Sequence, residues 1–446
     1  MIYQLYNLIA SLFFIVYTPA LLLRGLLQES FRQELAHRFG CFPNLLLQKP
    51  IWVHTASVGE VFCAVPLIQR VKREVPQCGI VITTMTRTGN ETARKQIPEA
   101  DGVFFFPLDH PLILRRALQT IRPSLLLIAE TELWPNLLRS CGRKGIPIAL
   151  FNGRISDKSF PRYHRLKFFF RKYLQYISLF LMQTEKDRLR IVEMGAPPTR
   201  TKVTGNIKYD QTLLSSSEGV APPMAKALGL RDGEAILIAG STRPGEEEIL
   251  LTIFRDLRKT IPHLMFLLAP RHLNRLEEVE RILQKEQIRW IRRTSLPIQS
   301  SPLPQRSAEM PEVILLDTLG ELTRLYSLGT LVFIGGSLVP LGGQNPLEPL
   351  LFKKCVLFGP HMSNFAEIAR LLTEAKGAIQ VRDKEDLASQ MRRLLQDEAA
   401  RKEVGEKGYD LLQKHRGATD RIFEEIRPFL SQTGNGNRTL PHPSLI

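Results

Sequence analysis

Ile51-Trp-Val-His-Thr-Ala-Ser-Val-Gly-Glu60 runs from a short apolar strand through small residues and a glycine to one carboxylate, and the apolar stretch Val61–Ile68 follows at once. Strand, tight turn and helix in that order form the unit of an open α/β fold, where ligands gather at the carboxyl ends of the strands. Glu60 therefore stands where chemistry is expected, although an acid at a helix start also balances the helix dipole. Outward from this unit the alternation repeats. Strands are expected at Ile51–His54, Ile80–Thr84, Val103–Pro107, Leu125–Ala129, Pro147–Asn152 and Leu179–Gln183. Helical stretches such as Val61–Glu74, Asn90–Gln96, Pro111–Gln119 and Trp134–Lys144 separate them. Short apolar strands joined by helices imply a parallel sheet covered on both faces.

The series pauses at the Thr, Ser, Gly and Pro cluster that begins at Thr212, which reads as a linker over 212–224. A second series then expects strands at Ala235–Ala239, Met265–Ala269, Val313–Leu316, Leu331–Ile334, Val356–Phe358 and Ala378–Val381. Residues 384–427 read as mostly helical, Gln299–Pro311 as a surface loop, and 431–446 as a disordered tail. The expected organisation is an N-terminal membrane anchor over 1–28, one Rossmann-like domain over 29–211, the linker, and a second Rossmann-like domain over 225–430. The fold class is α/β, with two doubly wound domains facing a cleft.

Residues 2–23 carry no charge and suffice for a bilayer span of about 20 residues. They lack the leading basic region and small-residue cleavage site of a signal peptide. Arg24, Arg32 and Arg38 follow, which would hold the body on the cytoplasmic side. Pro19 and the polar Tyr3, Gln4, Asn7 and Ser11 leave a helix lying on the membrane as the rival reading. The chain carries 60 basic and 44 acidic residues, net +16, a surplus suited to an anionic partner. Its five cysteines are scattered, without the spacing of a zinc site or a disulfide framework. Between Arg154 and Tyr173 seven basic residues interleave with six aromatics. That segment reads as a dock for anionic lipid or as a core helix with a solvated basic face; no nucleic-acid-binding signature accompanies it.

Motifs at the expected strand ends carry the chemistry. Gly240-Ser-Thr-Arg-Pro-Gly-Glu-Glu-Glu248 opens a helix, where backbone N–H groups can meet an anion or simply be capped. Arg271 follows the next strand and can make paired bonds to phosphate. Gly335-Gly-Ser and Gly342-Gly-Gln-Asn-Pro-Leu-Glu-Pro349 join glycine pairs to a helix start near Pro346. Glu348 is placed there to accept ribose hydroxyls. In the first half, Glu130 and Glu132 end a strand, and Lys208 lies near the domain junction.

Taken together, HTASVGE (54–60), TTMTRTG (83–89), AETELWPN (129–136), TGNIKYD (204–210), GSTRPGE (240–246), PRH (270–272), DTLGEL (317–322) and GGQNPLEP (342–349) resemble the Kdo transferases of lipid A biosynthesis. The resemblance implies a GT-B fold and inverting transfer of 3-deoxy-D-manno-oct-2-ulosonic acid (Kdo) from CMP-Kdo to a lipid A precursor. It further implies no cofactor, no metal, and a place on the cytoplasmic face of the inner membrane. Carried over, Glu60 is the general base, and Glu130 and Lys208 stabilise the transition state. Pro270, Arg271, Leu319, Gly320, Glu321, Asn345, Pro346, Leu347 and Glu348 take CMP. Gln344 stands where the family commonly has His, so any role that needs a titrating imidazole there is lost. The alternatives are a GT-B transferase using a UDP-sugar on a membrane lipid, and a non-catalytic nucleotide-binding membrane protein.

Overall fold

A computed structural model describes residues 3–4, 6–8, 11–12, 29–211, 225, 228, 234–296 and 311–430. These fall into two compact units, one drawn from Met1–Gln211 and Arg416–Ile446, the other from Thr212–His415. The expected linker, the tail and most of the expected 299–311 loop lie outside the described residues. So does most of the expected anchor, and no described helix is long and apolar enough to cross a membrane.

The first unit is built on seven strands: β1 (Ile51–Thr55), β2 (Ile80–Thr84), β3 (Gly102–Phe105), β4 (Leu125–Ala129), β5 (Ile148–Gly153), β6 (Leu179–Met182) and β7 (Thr201–Val203). Their order is β3-β2-β1-β4-β5-β6-β7, with every pairing parallel. Alternate residues serve opposite layers, as the pleat requires. Ile51, Val53, Leu125 and Leu127 feed one core, while Trp52, Leu126 and Ile128 feed the other. Burial on both faces is why these strands read as unbroken apolar runs.

The second unit repeats the plan with β8 (Ile236–Thr242), β9 (Met265–Pro270), β10 (Trp290–Arg292), β11 (Val313–Leu315), β12 (Leu331–Ile334), β13 (Val356–Phe358) and β14 (Ile379–Gln380). Their order is β10-β11-β9-β8-β12-β13-β14, again parallel throughout. All twelve expected strands are present. The two unexpected ones, β7 and β10, are three-residue edge strands with half-polar sequences, Thr-Lys-Val and Trp-Ile-Arg.

The second domain does not extend to residue 430 as expected. The helix Ala418–Leu430 returns to the first unit and packs on the helix Val58–Glu74. Ile422, Phe423, Ile426 and Leu430 join Val61, Ala64, Leu67, Ile68 and Val71 in one core cluster. Asp210 fixes the entry of that helix. One oxygen accepts from Gly417 N (2.7 Å), and the other accepts from Thr419 N (2.6 Å) and Thr419 Oγ1 (2.7 Å). Orphan N–H groups at a helix start need such a partner, and this one comes from more than two hundred residues upstream.

The described N-terminal residues also dock on the first unit. Tyr6 Oη donates to Asp109 (2.8 Å), and Asn136 Nδ2 donates to Asn7 Oδ1 (2.8 Å). Tyr3 lies beneath the Arg139 guanidinium (3.7 Å), and Tyr6 packs on Phe169 with centroids 6.0 Å apart. Tyr3, Tyr6, Asn7 and Ser11 face the body, while Gln4 is exposed and Leu8 and Leu12 are 66% and 63% exposed. Arg38 donates to the carbonyls of Met85 (2.5 Å) and Phe106 (3.3 Å).

Asp210→Ala removes three hydrogen bonds at a buried helix start, each bond to a charged group being worth roughly 1.5–3 kcal/mol at most. We expect a lower denaturant midpoint for the unfolding of the first unit, with a net loss of about 2 kcal/mol or more. Titration by circular dichroism checks this, and an unchanged midpoint would show that the clamp is dispensable.

Candidate active site

In the first sheet β1 and β4 are neighbours, but the chain proceeds outward from them in opposite directions. At such a switch point the loops beyond the two strand ends diverge and leave room for a ligand. Glu60 follows β1 and Glu130 follows β4. The helix begins at Val58, one turn earlier than the apolar pattern suggests, because Ser57 caps it. Ser57 Oγ accepts from Glu60 N (3.4 Å) and donates to Glu60 Oε1 (3.0 Å), while Ala56 N donates to Oε2 (2.7 Å). This reciprocal cap fixes the carboxylate on both oxygens. Glu60 is only 7% exposed. Burial raises its pKa to about 7, with Glu130 and Glu132 adding to the rise and the bond from Ala56 N opposing it. A carboxyl poised there can exchange a proton near neutrality.

Glu130 holds a left-handed backbone (φ 51°), unusual for a residue with a side chain. Its N–H donates to Phe151 O (3.0 Å), which ties it to the end of β5. Asn152 on β5, also left-handed (φ 53°) and fully buried, joins the remaining parts. Its Nδ2 donates to Cys63 Sγ (3.4 Å), one turn beyond Glu60, and its Oδ1 accepts from Ile207 N (3.1 Å), next to Lys208. Cys63 lies within the electrostatic reach of Lys208, Glu130 and Glu60, and burial lifts its thiol to about 12. The three residues expected as catalytic are thus brought together. Asn152 and Ser57, which hold them, carried no sequence signal beyond residue type.

In the second sheet the switch point falls between β8 and β12. Here the glycine-rich loops do something other than expected. Glu246, fully buried, accepts from the N–H groups of Gly336 (2.6 Å), Ser337 (3.0 Å), Leu338 (3.0 Å) and Arg243 (2.9 Å). Burial raises its pKa despite these four bonds. A side-chain carboxylate therefore fills the anion-binding nest that the sequence offers to a ligand. Gly335 has to be glycine, because an added Cβ would stand 2.4 Å from Ser241 O. The helix expected near Pro346 is a single turn, Leu347–Leu350, too short for an appreciable dipole.

The expected nucleotide residues do gather. Glu348 accepts from Thr323 Oγ1 (2.7 Å) and Asn345 Nδ2 (3.2 Å). Its pKa is raised, foremost by burial, while the nearby charge of Arg271 works to lower it. Glu321 accepts from Thr318 Oγ1 and from Arg293 Nη2 (3.5 Å). Leu319, 77% exposed, and Gly320 (φ 87°) form the open turn before it. Pro270 ends β9 with Arg271 directly after it. Among the described residues no three His, Cys, Asp or Glu side chains group as a metal ligand set.

A profile of the 3-deoxy-D-manno-octulosonic-acid transferase (kdotransferase) family matches residues 33–211. A 3-deoxy-D-manno-octulosonic acid transferase of Haemophilus influenzae is 36% identical over 406 residues, covering 90% of this chain and 92% of its own. This chain belongs to the Kdo transferase family. A second member, from Chlamydophila psittaci, is 32% identical over 96% of both chains. Among solved structures, a UDP-GlcNAc 2-epimerase from Neisseria meningitidis aligns with TM-score 0.57 at 15% identity, over 85% of this chain and all of its own. A glycosyltransferase from Rickettsia africae gives 0.54 at 10% identity, over 87% of this chain and all of its own. The fold of this Kdo transferase family member is thus GT-B-like, a pair of Rossmann-like domains, each on its own seven-stranded parallel sheet.

Glu246→Gln would set an amide N–H against backbone N–H donors. We expect about 1–3 kcal/mol less stability in the second unit. Calorimetric melting reads it, and unchanged melting would count against the buried clamp.

Proposed function

We propose that this protein transfers Kdo from CMP-Kdo to a hydroxyl of a lipid A precursor, with inversion, and that Glu60 is the general base. The observation that supports this most is the Glu60 carboxylate, held on both oxygens yet shifted to about 7. In the step proposed, the acceptor oxygen attacks the anomeric carbon of Kdo as its proton passes to Glu60. The bond from that carbon to the phosphate oxygen breaks, and CMP departs with the electron pair. Lys208 beside Glu60 and Glu130, and Arg271 beside Glu348, supply the positive charge that such a transition state requires. Asn345, Glu321 and Glu348 hold the nucleotide, with Glu348 accepting ribose hydroxyls. No resident cofactor takes part in this scheme.

The acceptor would be presented at the cytoplasmic face of the inner membrane. Support comes from the first unit. The docked N-terminal residues lie against the helix Lys167–Leu174, with Tyr3 and Tyr173 centroids 6.3 Å apart. Leu166 and Phe168 are exposed in the stretch that carries Arg165, Lys167, Arg171 and Lys172, and Leu8 and Leu12 are exposed on the docked N-terminal residues. Exposed apolar side chains interleaved with cations suit an anionic lipid surface.

Incubating the protein with a lipid A precursor and either CMP-Kdo or UDP-sugars, followed by mass spectrometry, tests the reading. The expected product gains Kdo only with the CMP donor. Transfer from a UDP-sugar alone would establish the rival reading.

The base role makes two further demands. Glu60→Gln should lower kcat on the order of 100- to 10,000-fold, with the donor KM little changed. For the wild type, kcat/KM should rise with pH through about 7, because a base works only when deprotonated and burial delays that deprotonation. A flat profile from pH 5 to 9, or near-normal turnover by the Gln variant, would remove Glu60 from the role.

A further inference from the structure

The Glu246 clamp has a consequence for donor recognition. With the N–H groups of Gly336, Ser337 and Leu338 occupied, an anion at this sheet end must be met by side chains. Three arginines lie together there, since Arg243 feels the repulsion of Arg271 and Arg275. Arg275 is neutralised by Glu247 (2.8 Å) and Glu278 (2.9 Å). Arg243 and Arg271 make no ion pair with a carboxylate among the described residues, and the Glu246 charge near Arg243 is already shared over four N–H bonds. Arg243 Nε is buried without a hydrogen-bond partner. Its Nη1 contacts His272 Nε2 at 2.7 Å. A guanidinium only donates, so His272 accepts and carries its proton on Nδ1. The site thus keeps a second, uncompensated cation oriented by a neutral histidine.

The two free arginines are not equivalent. Arg271 lies within reach of Glu348, on the nucleotide side. Arg243 follows β8 at the switch point, and its Cγ lies near Gly336 beside Gln344 Nε2, each within 3.5 Å of where a Gly336 Cβ would stand. The donor assigned above likewise carries two anions, the nucleotide phosphate and the carboxylate on the anomeric carbon of the sugar. We propose that Arg243, steadied by His272, binds the sugar carboxylate, leaving Arg271 to the phosphate. The paired N–H groups of a guanidinium match a carboxylate edge to edge. Arg243 then selects 2-keto acid sugars over neutral ones. The assignment rests on CMP-Kdo being the donor.

The test compares CMP with CMP-Kdo, binding each to the full chain by calorimetry. Arg243→Gln should leave CMP affinity within about twofold and weaken CMP-Kdo at least tenfold, with Arg243→Lys in between. Retained CMP binding also certifies that the variant site is folded. Equal weakening of both ligands would move Arg243 to the phosphate and overturn the proposal, and no weakening of either would overturn it as well. If the wild type binds CMP-Kdo no better than CMP, the carboxylate assignment fails while the nucleotide site stands. If the wild type binds UDP-sugars instead, the donor reading itself has failed.

Discussion

A parallel strand pair cannot be closed by a hairpin, so within each sheet successive strands are joined by crossovers that carry the chain back to the starting edge. Every strand therefore ends on the same side of its sheet, and every following loop starts there. Where the direction of winding reverses, neighbouring strand ends send their loops apart. Glu60 and Glu130 flank that point in one sheet, Arg243 and Gly335 in the other. Strand direction alone thus settles where polar groups from distant parts of the chain can meet.

What gathers at the two points has opposite sign. In the first unit three carboxylates crowd together, and their repulsion, added to burial, makes Glu60 a stronger base than an ordinary carboxylate. In the second unit arginines crowd together, and Arg243 makes no ion pair with a carboxylate among the described residues. Both arrangements carry an electrostatic cost within the folded protein. Sites that hold such tension are where function is commonly found.

Much of this was legible in the sequence. Buried parallel strands are continuous apolar runs, so twelve of the strands stand out, while Thr201–Val203 and Trp290–Arg292, short and partly polar at sheet edges, do not. Glu60, Glu130 and Lys208 could be placed at strand ends from local pattern alone. The resemblance to a family supplied roles that pattern could not. What stayed hidden depends on partners far along the chain. Asp210 is one acid among many until Thr419 is known to sit on it. Glu246 reads as an ordinary first-turn acid until the Gly336 loop, ninety residues later, closes on its carboxylate. The ownership of Ala418–Leu430 was missed for the same reason, because an amphipathic helix announces a buried face without saying which core receives it.

That last helix also bears on how the protein is made. The second unit is continuous in sequence, whereas the first is interrupted by it. As the chain leaves the ribosome, the apolar face of Val58–Glu74 emerges before the whole second unit, and Ile422, Phe423 and Ile426 emerge after it. The unit that starts first thus finishes after the one inserted into it. Until then part of a stripe of valine, leucine and isoleucine lacks its cover, so the core of the first unit closes only once the second has been made.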